Sequence, residues 1–143
     1  MYSPKFSDMF LMKLRVQMRC LLNIFLALLL FTSVNAGDIS VEVQVVARAV
    51  ENRIPIGVDD KFPSNIGRVY CYSKVVGASK GDIVRHIWYY NDKPISEVSF
   101  NVTSSSYRFY SYKTIPAYAK GKWRVDLTMQ DGTVLKTTDF TIE

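Results

Sequence analysis

Cysteine and histidine are scarce in this sequence, with two cysteines and one histidine among 143 residues. Two cysteines cannot staple a disulfide scaffold. Nor can they and one histidine assemble a structural zinc site of the usual composition within one chain. Only one stretch is apolar enough to enter a bilayer, which excludes a polytopic membrane protein. No glycine-rich loop precedes a helix, so phosphate cradling of the P-loop or dinucleotide kind has no basis. Internal repeats are absent, and Thr103-Ser104-Ser105-Ser106, the nearest thing to a low-complexity tract, reads as a loop. What remains, 48% hydrophobic and 13% aromatic, is too apolar for a disordered chain and fits one small domain.

The apolar stretch has the order of an export signal. Lys13, Arg15 and Arg19 precede an apolar run from Leu21 to Phe31, and Val34-Asn35-Ala36 comes after it. A basic region, a short apolar run and small residues make a secretory signal peptide, with cleavage expected between Ala36 and Gly37. An uncleaved inner-membrane anchor formed by residues 21–34 is the alternative, since the same cations would hold its N-terminus inside. Met1, Met9, Met12 and Met18 all precede the run and leave the start residue open. Cys20 also precedes it, whereas a lipidated cysteine would come after it.

The chain therefore divides into an extension with its signal helix (1–36) and a domain (37–143). Removing the former takes four of the 18 basic residues and one of the 13 acidic ones, which lowers the net charge from +5 to +2. The excess that suggested a nucleic-acid partner mostly belongs to the leader, so no nucleic acid is expected. Cys71 is left alone, inside an apolar and aromatic run, and reads as a buried small hydrophobe.

From Val41 onward apolar residues recur at period two, the pattern of half-buried strands. Seven strands are expected, at 40–50, 67–76, 83–91, 95–102, 107–114, 122–129 and 134–142. In the first, Val41, Val43 and Val45 alternate against Glu42 and Gln44, and a phase shift at Val46 suggests a bulge there. Between Lys122 and Met129, Trp123, Val125, Leu127 and Met129 form the core side. Asp131-Gly132 is expected to supply the positive-φ positions of a tight hairpin. Residues 51–60, with Pro55 and Gly57, read as an irregular connection. Short strands with turn signals between them and no convincing amphipathic helix predict an all-β fold, an immunoglobulin-like antiparallel sandwich, with a small barrel as runner-up. Trp88 and Trp123 are expected in its core.

Candidates for chemistry are few. Asp59 and Asp60 with Asp82 or Asp92 lack the spacing of a calcium loop and read as solvated turn carboxylates. Cys71 and His86 would form a thiolate–imidazolium pair if their strands were neighbours, but no glycine elbow or oxyanion motif accompanies them. Asn101-Val102-Thr103 matches the glycosylation acceptor pattern, relevant only in a eukaryotic secretory pathway. The distinctive feature is tyrosine interleaved with cations. By strand parity Arg68, Tyr70, Tyr72 and Lys74 share a face, as do Arg85, Ile87 and Tyr89, and as do Arg108, Tyr110 and Tyr112. If these faces lie on one sheet and look outward they make a basic aromatic platform, suited to stacking on sugar rings or burial against a protein.

Several ordered motifs carry a family resemblance. They are Phe62-Pro63-Ser64, Gly67 to Val75 (GRVYCYSKV), His86 to Tyr90 (HIWYY), Ser104 to Arg108 (SSSYR) with Ser111-Tyr112-Lys113, and Gly121 to Leu127 (GKWRVDL) before Asp131-Gly132. Together they resemble the bacterial family called domain of unknown function 2914, over about residues 45–143. The resemblance implies an extracytoplasmic domain and brings no reaction or ligand. Where relatives often carry tryptophan before the arginine, this chain has Tyr107.

The expected function is thus a periplasmic or secreted binding module without enzymatic activity, cofactor or metal. Arg68, Tyr70, Tyr72, Arg85, Tyr89 and Arg108 would meet an envelope glycan or a partner protein, and membrane contact would come only through an uncleaved signal. The alternatives are a thiol or hydrolase-type enzyme built on Cys71 and His86, and a purely structural envelope domain.

Overall fold

The computed structural model describes residue 7, residues 9–15 and residues 38–143. The chain divides into two compact units, Met1–Ala36 and Gly37–Glu143. In the first, residues 9–15 are helical and exposed. The apolar run, the anchor 21–34 and the expected cleavage point between Ala36 and Gly37 lie outside the described residues. No helix among the described residues is long and apolar enough to cross a membrane.

The second unit is an immunoglobulin-like sandwich. Its strands are β1 (Ser40–Glu51), β2 (Ile54–Val58), β3 (Lys61–Phe62), β4 (Arg68–Val76), β5 (Ile83–Tyr90), β6 (Lys93–Asn101), β7 (Ser106–Thr114), β8 (Gly121–Met129) and β9 (Val134–Ile142). One sheet has the order β2-β1-β4-β7 and the other β3-β9-β8-β5-β6. β3 crosses to the second sheet and the chain returns to the first for β4; it then changes sheets between β4 and β5, between β6 and β7, and again between β7 and β8. Those crossings are Greek-key connections, and they pack two alternating apolar faces against each other. All pairings are antiparallel except that of β3, which lies parallel to the end of β9.

The seven expected strands are present, the segment 51–60 read as irregular holds β2, and the short β3 follows it. Glu51 pairs with Ile54 around Asn52-Arg53, whose φ values are 49° and 61°. Asn91-Asp92 makes the same two-residue connection between β5 and β6, with φ 48° and 64°. Two positive φ values in succession define the turn whose twist matches that of the strands it joins. At the expected hairpin Asp131-Gly132 only Gly132 has positive φ, and the Met129 amide donates to the Thr133 carbonyl, 2.8 Å, around a wider loop.

The irregularity in β1 lies earlier than expected, between Val41 and Val43 rather than at Val46. One extra residue there reverses the parity of the remainder of the strand. Gln44 and Val46 therefore point inward, where the Gln44 side-chain amide donates across the sandwich to the Val125 carbonyl, 3.0 Å. Val43 and Val45 fall on the outer side, in register with Lys74 and Tyr72.

The core has two apolar parts. One gathers Phe62, Val69, Trp88, Trp123, Val125 and Phe140, and the other Val75, Val84, Val102, Phe109 and Leu127. Both tryptophans are buried as expected, Trp88 completely. On β4 the inward residues are Val69, Cys71, Ser73 and Val75, and so Arg68, Tyr70, Tyr72 and Lys74 must face out.

Candidate functional site: a tyrosine and arginine sheet face

The outer face of the β2-β1-β4-β7 sheet brings four of the six expected residues together. In the β4–β7 register Tyr70 lies opposite Tyr112, Tyr72 opposite Tyr110, and Lys74 opposite Arg108. Tyr70 leans on both neighbours, with ring centroids 5.5 Å from Tyr112 and 6.3 Å from Tyr110. The Arg68 guanidinium sits over the Tyr112 ring at 4.7 Å. Tyr110 and Tyr112 remain 46% and 48% exposed. Tyr72 is instead buried at the centre, and the exposed Ile54, Ile56 and Val58 of β2 continue the same side. Strand parity had placed Tyr110 and Tyr112 beside Arg108, and they are the most open rings of the platform.

Charge on this face is one-sided. Lys74 pairs with Glu42. Among the described residues, Arg53, Arg68 and Arg108 have no carboxylate within salt-bridge distance. A cavity of about 590 Å³ opens beside Arg108 and Tyr110, lined also by Thr103, Ser104, Ser106 and by Arg53 from the tip of the β1–β2 hairpin. The pairing of β1 with β4 ends at Ala47, and beyond it the hairpin is held by β2 alone, which frees its tip to share that cavity. Arg53 escaped sequence reasoning because its hairpin did, although Asn52 between strand-like residues was a turn signal.

Arg85 and Tyr89 lie on β5, in the other sheet, and do not join this face. Each has a charged neighbour on its own sheet. Arg85 pairs with Glu97 at 3.3 Å, and Tyr89 lies under the Arg124 guanidinium at 3.8 Å, itself bonded to Asp92 at 2.6 Å. The two outer faces thus differ in kind. One pairs Arg85 and Arg124 with carboxylates and the other leaves Arg68 and Arg108 among tyrosines.

The turn carboxylates also have local work. The Asp59 carboxylate accepts the amides of Asp60 and Lys61, which hold it below the usual carboxylate range, and the Asp82 carboxylate accepts the Ser79 amide.

Cys71 and His86 are neighbours, as the thiol reading requires, but the core seals both. The sulfur lies 3.9 Å from His86 Nε2. Burial pushes the thiol up to about 12 and the imidazole down to about 3, so at neutral pH both are uncharged. Two serines that the sequence reading passed over complete the arrangement. With the ring proton on Nε2, Trp88 Nε1–H donates to Ser111 Oγ (3.1 Å), whose hydroxyl donates to His86 Nδ1 (2.7 Å). His86 Nε2–H donates to Ser73 Oγ (2.9 Å), and the Ser73 hydroxyl is left for the Cys71 sulfur. Every donor in this chain then has an acceptor, whereas the other tautomer leaves the Ser111 hydroxyl without one in the cluster. This is a hydrogen-bonded strut between the sheets, with the His86 ring packed against Phe109 at 36° and ring centroids 5.0 Å apart.

Fold and face together define an immunoglobulin-like sandwich with one basic aromatic surface. The family model described as protein of unknown function (DUF2914) matches residues 68–142, more than half of the chain, and the chain belongs to that family. The match runs from the first residue of β4 to the last of β9 and so contains both strands of the tyrosine face. No curated protein matches the sequence. Among solved structures, the solution structure of the CARDB domain of a Pyrococcus furiosus protein is similar, with 17% identity over 69% of this chain and 93% of that chain and a TM-score of 0.35.

Proposed function

We propose that the domain is a binding module, not an enzyme, that works outside the cytoplasm by presenting the outer face of its four-stranded sheet to an envelope glycan or a partner protein. The observation that carries this reading is the group of Arg68, Tyr70, Tyr110, Tyr112 and Arg108, half open to solvent and with no carboxylate beside its arginines. Tyrosine offers apolar area with a polar tip at low entropic cost, and arginine stacked on such rings is pre-positioned for a planar or anionic group. The sealed state of Cys71 and His86 supports a structural role for that pair. The leader-like order of residues 13–36 supports export to the periplasm or beyond.

Capture from envelope glycan and protein fractions tests the reading. Tyr70→Ala combined with Tyr112→Ala is expected to reduce retention at least tenfold, while Arg85→Ala on the opposite sheet leaves it unchanged. Equal retention by all three chains would sink the assignment.

A further inference from the structure

Four strands form the edges of the two sheets, and three of them are ill suited to accept another strand. β2 has five residues and contains Pro55 and Gly57. β3 has two residues. β6 carries Pro94, and its register breaks opposite Trp88 and Tyr89. Proline, brevity and bulges are how sheets blunt their edges. β7 has none of these. Its nine residues pair one for one with β4, from Ser106 opposite Val76 to Thr114 opposite Arg68, without a bulge, proline or glycine. Such a ladder leaves a row of amides and carbonyls on its far side, and among the described residues only the Ser106 carbonyl has a side-chain partner, the Ser104 hydroxyl at 2.7 Å.

The charge beside this edge selects the partner. The cavity of about 590 Å³ lies along the first half of β7, with Arg53 and Arg108 in its wall and no acidic residue lining it. A second copy of the chain is a poor occupant. β7 carries Arg108 and Lys113 and no acid, so an antiparallel copy would bring two of each cation to one seam with no β7 carboxylate to offset them. An acidic strand meets no such obstacle.

We propose that the open edge of β7 binds an extended acidic peptide segment of a partner protein as a further strand, with its carboxylates reaching Arg108 and Arg53 in the adjoining cavity. Main-chain hydrogen bonds to β7 supply affinity, and alternate side chains entering the cavity supply selectivity. The inference rests on reading this sheet as the interaction surface and adds the class of partner and its mode of attachment.

A panel of fluorescent octapeptides that alternate glutamate with threonine or valine tests it by anisotropy on the full chain. Acidic members are expected to bind and lysine-for-glutamate versions to bind at least tenfold less. Arg53→Glu with Arg108→Glu, both at exposed positions, should weaken binding at least tenfold with an unchanged circular dichroism spectrum. N-methylation along one edge of the peptide should abolish binding while methylation along the other does not, a readout that leaves the protein untouched. Binding indifferent to both methylation patterns overturns strand addition while leaving the sheet face as the interaction surface. Failure of every peptide, with retention on an acidic polysaccharide such as polygalacturonate, overturns the peptide in favour of a glycan. Self-association through β7, seen as a dimer that an excess of a peptide of residues 106–114 dissolves, overturns it in favour of a second copy.

Discussion

His86 shows how a residue type associated with chemistry can serve structure. Its imidazole takes a proton near 6.5 in the unfolded chain but only near 3 when folded, because burial penalises the charged form. Between those values the unfolded chain binds more protons, so stability held above pH 6.5 drains away as pH falls, at up to about 1.4 kcal/mol per pH unit. Chemical denaturation of wild type and His86→Gln from pH 7.5 to 4 should show their stability difference narrowing as pH drops, and a constant difference would contradict the buried neutral ring. Cys71 makes a parallel case. In a Cys20→Ser background its thiol should resist alkylation at pH 8 until denaturant is added. Its burial was legible in the sequence, because it lies inside an apolar and aromatic run. Ser73 was not legible as a strut, since a serine at an inward position carries no signal until its partner from another strand is known.

Among the elements, the β1–β2 hairpin departs most from its sequence reading. Pro55 and Gly57 argued for a loop, yet Pro55 sits on an edge strand, where a missing amide costs no ladder bond. The turn at Asn52-Arg53 holds an arginine at φ 61°, a conformation that costs a residue with a Cβ about 1 kcal/mol or more. Arg53→Gly should therefore stabilise the domain by about 0.5–1 kcal/mol in a thermal melt while weakening acidic-peptide binding, and a loss on both counts would show that the arginine holds the hairpin in place. The bulge in β1 was placed in the wrong position for a related reason. A parity change is visible in the sequence, but which residue is unpaired depends on the register with β4, a strand more than twenty residues away.

At the scale of the molecule, parity told which residues share a face of a strand but not which strands share a sheet. That is why Arg68, Tyr70, Tyr72 and Arg108 come together while Arg85 and Tyr89 lie on the opposite sheet with carboxylates beside them. Apart from the buried Tyr72, the tyrosine face contributes little to stability. Arg68 stacks on Tyr112 at an exposed site, worth about 0.5–1 kcal/mol, so Arg68→Ala with Tyr112→Ala should leave the melting temperature within a few degrees of wild type. A face with so little structural duty and so much exposed aromatic area is the surface most available for recognition. Amide chemical-shift mapping of the ¹⁵N-labelled chain, titrated with the envelope fraction that retains it, tests that claim most directly. Shifts confined to β4, β7 and the β1–β2 hairpin are the expected result. Shifts centred on β5 and β8, with the tyrosine face silent, would contradict it.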